Sequence, residues 1–166
     1  MVPGRAPEVR FFNHNSAKSL ERILKTRERK NALVLVEGVY SLDGDCAHLK
    51  EFVDICDQYD AVLAVDDAHG SGTLGKHGRG LAEHLGVEGR IPILMTAFSK
   101  SFGGIGGALL GDGEVIEMIK NAARSFLFSA SLPIPIVAAV TTTLDMIESE
   151  GPKLVAELHQ KRDYFR

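Results

Sequence analysis

Residues 61–70 read AVLAVDDAHG. The apolar part is β-branched, short and bounded by polar residues, which suits a strand buried in a parallel sheet. Two adjacent aspartates close it, and His69 follows three residues after the first. Alternation along a strand sends Asp66 and Asp67 to opposite sides. One of them can face a ligand while the other meets backbone or solvent. A carboxylate taken out of water needs a cation or several donors, and a cationic heterocycle meets that need. The alternative is structural: Asp67 caps the next turn and His69 is satisfied locally.

Working outward, ALVLVEG (Ala32–Gly38) and IPILMTA (Ile91–Ala97) are two more short apolar runs. GGALLG (Gly106–Gly111) is a brief fourth strand. Between the runs lie helical spacings. Ala17, Leu20, Ile23 and Leu24 mark one face of a helix over 16–29, and Leu49, Phe52, Val53, Cys56 and Tyr59 mark a second. A short helix is expected near Leu81–Leu85, another over Glu114–Arg124, and one over Pro133–Glu148 with proline in its first turn. Residues 1–10 read as irregular. Strand and helix alternate, so the expected class is α/β, a mainly parallel sheet with helices on both faces. Right-handed crossovers place the carboxyl ends of the three strands along one edge, where open α/β sheets bind ligands. The segments just past those ends are 37–45, 66–72 and 97–107.

Composition narrows the class. A chain of 166 residues, 45% hydrophobic and 25% charged, is sized for one globular domain. A net charge of -3, without a basic block, argues against a nucleic-acid partner. The mixed run KTRERK (Lys25–Lys30) reads as a solvated helix end. Cys46 and Cys56 have no metal-ligand spacing and read as a reduced pair. The first ten residues lack the apolar core of a secretory signal, and LPIPIVAAV is too short to span a bilayer. The expected compartment is the cytoplasm.

The third strand runs into TAFSKSFGGIGG, Thr96–Gly107. A loop lysine is ordinarily just solvated. Lys100, however, follows a strand that ends beside Asp66. Ser99 and Ser101 flank it and can donate to an anion, and four glycines behind it allow close backbone approach. A lysine so placed is a candidate nucleophile. Lys100, Asp66, His69 and Ser41 at one sheet edge make a site for an anionic aromatic aldehyde. GGIGG does not stand between the first strand and its helix, so it is not a dinucleotide fingerprint.

EGVYSLDGD (Glu37–Asp45), VDDAHGSGTLGKHGRG (Val65–Gly80) and FSKSFGGIGG (Phe98–Gly107) resemble segments of the α-oxoamine synthases, fold-type I enzymes dependent on pyridoxal 5'-phosphate (PLP). FFNHN (Phe11–Asn15) and FLFSASLP (Phe126–Pro133) are also similar, and the order and separations match the family across nearly the whole chain. The resemblance implies the large domain of a PLP-dependent transferase. It implies a reaction that joins an amino acid to an acyl-CoA or acyl-carrier thioester, with loss of carbon dioxide, in a homodimer. It assigns Lys100 as covalent anchor and general base, and Asp66 as partner of the protonated pyridine nitrogen. It sets His69 and Ser41 beside the phenolic oxygen, and Ser131 in a segment that reaches a neighbouring subunit's phosphate. Among branches, the motifs resemble 8-amino-7-oxononanoate synthase, with glycine C-acetyltransferase and serine palmitoyltransferase as alternatives. A non-catalytic subunit that keeps the fold is a further alternative.

Two departures stand out. The family carries threonine three residues before the lysine, to bind phosphate; here that residue is Ala97, and Thr96 one earlier faces the other way. Ser99 is the hydroxyl that could replace it. The family is also about twice as long or more. Residues 1–166 are therefore expected to be a single, incomplete PLP-binding domain, without the N-terminal segment and C-terminal small domain.

Overall fold

The computed structural model describes residues 8–166. Four strands form one sheet in the order β1 (Leu33–Glu37), β2 (Val62–Asp66), β3 (Ile93–Ala97), β4 (Gly107–Gly111). β1, β2 and β3 run parallel, with Glu37 beside Asp66 and Asp66 beside Met95. β4 is antiparallel to β3, pairing Ala97 with Gly107. The nine residues between β3 and β4 are too few for the crossover that a parallel pair requires, so the chain turns back.

Helix α1 (Ala17–Lys25) starts where Ser16 Oγ accepts the Ser19 N–H at 3.3 Å. It packs with α2 (Leu49–Gln58) and α3 (Leu81–Leu85) on the sheet face carrying Val34, Val36, Leu63 and Val65. Leu20, Leu24, Leu49, Phe52 and Leu81 fill that layer, and Phe12 meets the Phe52 ring edge-on at 5.8 Å. Each such side chain contributes about 1.5–3 kcal/mol through burial. The parallel layered sheet expected from the sequence is present. At β1 and β2, though, the described helices lie on one face; on the other, Leu33, Leu35 and Val62 are exposed.

The remaining elements among the described residues are a 3-10 turn at Glu88–Arg90, α4 (Gly113–Ala122), α5 (Arg124–Leu127) and α6 (Ile134–Tyr164). The expected helix over 133–148 continues 16 residues further, through Gly151 and Pro152, to Tyr164. Gly-Pro reads as a helix stop, because proline lacks the N–H and crowds the preceding turn. Here tertiary contact overrides it. Gly151 lies so close to the His77 carbonyl that a Cβ would stand 2.5 Å from that oxygen. Val155 is buried, and His159 Nε2 lies 3.0 Å from the Thr73 carbonyl. The helix past Pro152 is held by what it touches. Among the described residues no helix is long and apolar enough to cross a membrane.

Candidate active site

The parallel strands bring Glu37, Asp66 and Ala97 to one edge of the sheet. Register puts Glu37, Asp66 and Met95 on the same face, the one turned away from α1–α3, and alternation adds Ala97. Asp66 is half-buried, and its Oδ1 accepts the Ala68 N–H at 3.1 Å. Glu37 Oε2 accepts the Ser41 N–H at 2.9 Å, which folds the loop after β1 back over the strand end. Ser41 and His69 are exposed. A groove of about 900 Å³ lies at the β1 edge of the sheet, between the segment leading into α1, α1 itself and β1, and its lining reaches Glu37, Tyr40 and Asp66. Lys100 and His69 lie outside that lining.

Past β3 the chain makes a tight turn. Phe98 N–H donates to Gly106 O at 2.8 Å, and Gly104 N–H to Phe98 O at 2.7 Å. Phe102 is buried and meets Phe98 edge-on at 5.6 Å. This pins the turn at both ends and leaves Ser99 and Lys100 exposed. Ser101 Oγ donates to Ser71 O at 2.6 Å. The hydroxyl read as a potential anion donor is thus committed to tying the lysine turn to the His69 loop. Ser131 is exposed; Leu132 beside it packs over Gly106, where a Cβ would stand 2.7 Å from a leucine methyl.

The glycine-rich loop after β2 is fastened by two carboxylates. Glu83 on α3 accepts the N–H groups of His77 and Arg79, each at 3.0 Å, and His77 Nδ1 lies 2.5 Å away. Burial alone would raise the Glu83 pKa; the Arg79 and His77 hydrogen bonds outweigh it and hold the carboxyl below its usual range. Asp67, fully buried, accepts the Leu81 N–H at 2.9 Å. Burial pushes its carboxyl up to about 6, the Leu81 hydrogen bond pulls back, and the charge on Asp66 adds to the rise. The alternation read from the sequence is therefore realised, with Asp66 on the open face and Asp67 inside.

A second fastening joins the loops before α1 and after β1. Asn15 Nδ2 donates to Asp45 Oδ2 and to Cys46 O, both at 2.8 Å, while Asn15 Oδ1 accepts the His48 N–H at 2.8 Å. His14 Nε2 lies 3.0 Å from Asp45 and its ring stands edge-on to Tyr40 at 4.3 Å. Desolvation alone would raise the Asp45 pKa; its bonds to Asn15 and His14 hold it below the usual range instead. Two of the quoted motifs, FFNHN and EGVYSLDGD, thus make one interlocked unit.

Thr96 faces the helix layer. It is buried, and among the described residues its Oγ1 has no hydrogen-bond partner. Ala97 occupies the open face in its place. Glu83 and Asn15 were not singled out as functional from the sequence. Glu83 was visible only as an acid six residues after His77 in a glycine-rich run, a signal that many surface acids share.

The chain belongs to the aminotransferase class I and II family, whose profile matches residues 4–166. Its similar relatives are α-oxoamine synthases. It is 43% identical over 164 residues to an 8-amino-7-oxononanoate synthase of Geobacter sulfurreducens, covering 98% of this chain and 42% of that one. It is 38% identical over 156 residues to a serine palmitoyltransferase of Sphingobacterium spiritivorum, covering 93% of this chain and 39% of that one. A serine palmitoyltransferase solved with PLP superposes with a TM-score of 0.80 at 38% identity, covering 84% of this chain and 35% of that one. The chain spans about two fifths of the length of the curated relatives it matches.

Proposed function

We propose that this chain carries the cofactor-binding part of a PLP-dependent acyltransferase. The reaction is amino acid plus acyl thioester giving an aminoketone, carbon dioxide and the free thiol carrier. The observation that carries the reading is the Ser101–Ser71 hydrogen bond at 2.6 Å, which joins the Lys100 turn to the His69 loop at the strand edge ending in Asp66. The residues present fit the group. Lys100 offers an exposed amine to an aldehyde, Asp66 a half-buried carboxylate to a cationic ring nitrogen, and His69 and Ser41 donors to a ring oxygen.

Bound there, PLP supplies an electron sink that makes the α-proton of an attached amino acid acidic. Asp66 would hold the ring nitrogen in its protonated form through its negative charge. Lys100 would be the amine that holds the cofactor and, once free, the general base for the α-proton. His69 and Ser41 would orient the cofactor's ring oxygen. Ser99, beside Lys100, is the hydroxyl for the phosphate in place of the one absent at Ala97.

Identity to 8-amino-7-oxononanoate synthases favours that branch of the family. A homodimer accompanies the reading. Phe126, Phe128 and Ile134 are 60%, 80% and 84% exposed around Ser131, an apolar run fitted to another protein surface. Cytoplasmic location goes with these substrates. One observation favours the non-catalytic alternative: Thr96 turns inward and Ala97 has no hydroxyl, so the phosphate loses a donor.

Titration of the purified chain with PLP separates the readings. The visible band of lysine-bound PLP is expected in the wild type, is absent in Lys100→Ala, and needs roughly tenfold more PLP in Asp66→Asn. No band at any PLP concentration would leave the non-catalytic subunit.

A further inference from the structure

Asp67 has a role that neither strand packing nor the proposed chemistry explains. It is a fully buried aspartate whose Oδ1 has no hydrogen-bond partner among the described residues. An apolar side chain of similar size would avoid the cost of an unpaired buried polar atom. Here the chain is shaped around the carboxyl instead. A Cβ added to Gly38 would stand 2.2 Å from Oδ1, one on Gly70 2.2 Å from Oδ1, and one on Gly80 1.8 Å from Oδ2. Three glycines, from the loop after β1 and both ends of the loop after β2, close on one carboxyl group.

The hydrogen bonds follow the same pattern. Asp67 Oδ2 takes the Leu81 N–H, Asp67 O takes the Gly70 and Ser71 N–H groups at 3.1 and 2.9 Å, and Asp67 N–H donates to Met95 O on β3 at 2.8 Å. Gly38 N–H donates to Asp66 O at 2.7 Å, one residue away. Ser41 follows Gly38 by three residues, His69 precedes Gly70, and Ser71 receives the lysine turn through Ser101. Every candidate ligand to the cofactor except Ser131 is therefore within a few residues of a segment that touches Asp67 or its neighbour in the chain.

We propose that Asp67 is a positioning residue: its carboxyl is the common seat of three glycine turns and sets where Ser41, Asp66 and His69 stand relative to one another. It touches no cofactor or substrate and acts through the backbone. The proposal rests on the PLP reading only for its consequence, since the seat itself is a property of the chain alone. The ionisable groups around the carboxyl are Asp66 on its own strand and Cys46 in the loop after β1, whose thiol is raised by burial first and then by Asp45 and Asp67.

The test compares the full chain with Asp67→Ala, Asp67→Asn, Gly38→Ala and the double variant Gly38→Ala/Asp67→Ala. Two readouts are taken, amide hydrogen exchange without cofactor and PLP titration by absorbance. Asp67→Ala is expected to speed exchange at Ser71 and Leu81 by about tenfold and to raise the half-saturating PLP concentration by about tenfold. Asp67→Asn keeps an acceptor for Leu81 and is expected to restore both. Gly38→Ala pushes the carboxyl off its seat and should resemble Asp67→Ala. The double variant should be no worse than either single, because removing the carboxyl makes room for the new methyl. The proposal is overturned if Asp67→Ala changes neither readout, if Asp67→Asn is as damaged as Asp67→Ala, or if the single effects multiply in the double. Should Asp67→Ala show no protected amides at all, Asp67→Asn and Gly38→Ala decide through the same readouts. A wild-type chain without the visible band would overturn the cofactor reading, and the exchange measurements would still decide the role of Asp67.

Discussion

The chain up to the lysine turn and the chain after it are built differently. Before the turn, α1, α2 and α3 close on one face of the sheet, and the main cluster of buried apolar side chains draws all its members from residues 20–87. After it, α4 and α5 bury no residue, and α6 buries only Val140, Gly151 and Val155 along 31 residues. Met118, Phe126, Leu127, Phe128 and Ile134 stay at least half exposed. The difference teaches where stability and assembly reside. The first region carries its own core, and the second presents apolar surface that an ordinary monomer would hide. The candidate site sits at their junction, on loops fastened from the first side by Asp67 and Glu83 and from the second by α6.

The comparison can be broken most forcefully in the core. Phe52→Ala removes a fully buried ring and is expected to cost about 3–5 kcal/mol in urea unfolding. A loss below about 1 kcal/mol would mean that the first region is not the stable one.

Asp67 offers the next test, through pH. Its folded pKa of about 6 lies above its ordinary value of 3.8. The folded chain thus holds a proton that the unfolded chain has released over that window. Stability from this group is therefore present below about pH 4 and is lost as pH rises through 6, a difference of about 3 kcal/mol. Asp67→Asn should remove that slope, so that its stability advantage over the wild type grows from pH 4 to 7 in denaturant unfolding. Glu83, held below its usual range, works in the opposite sense: its contribution is present above the ordinary carboxylate pKa and fades as pH falls through its lowered value.

The seam between the regions responds to Gly151→Ala. The new methyl meets the His77 carbonyl, where a Cβ would stand at 2.5 Å, and about 1–3 kcal/mol of destabilisation is expected. Exchange protection at Gly78 and Gly80 should fall with it. The smallest effect belongs to Phe128→Ser. Monomer stability should move by less than about 0.5 kcal/mol, while sedimentation should show weaker self-association. A cost comparable with that of Phe52→Ala would erase the contrast.

Much of the first region was legible in the sequence, and the reasons are physical. Short apolar runs marked the three parallel strands, and α3 lies at Leu81–Leu85 as expected. Strand alternation alone separates Asp66 from Asp67. Where local rules fell short, tertiary contact had taken over. Gly151-Pro152 reads as a stop, yet the helix continues because Val155 and His159 are held on the glycine loop. The seat of three glycines around Asp67 joins residues as far apart as 38 and 80, a separation that no periodicity carries. Ser101 shows the limit at the site itself: spacing made it a ligand donor, and the fold uses it as a tie to Ser71.

The central claim is that Lys100, at the edge shared with Asp66 and His69, is the residue that captures PLP. Borohydride reduction of the chain with PLP, followed by peptide mass mapping, tests it directly. The account predicts one stable adduct, on the peptide containing Lys100, at a PLP concentration comparable with that of the chain. Adducts spread over the surface lysines, with Lys100 no more labelled than Lys76 or Lys120, would contradict it.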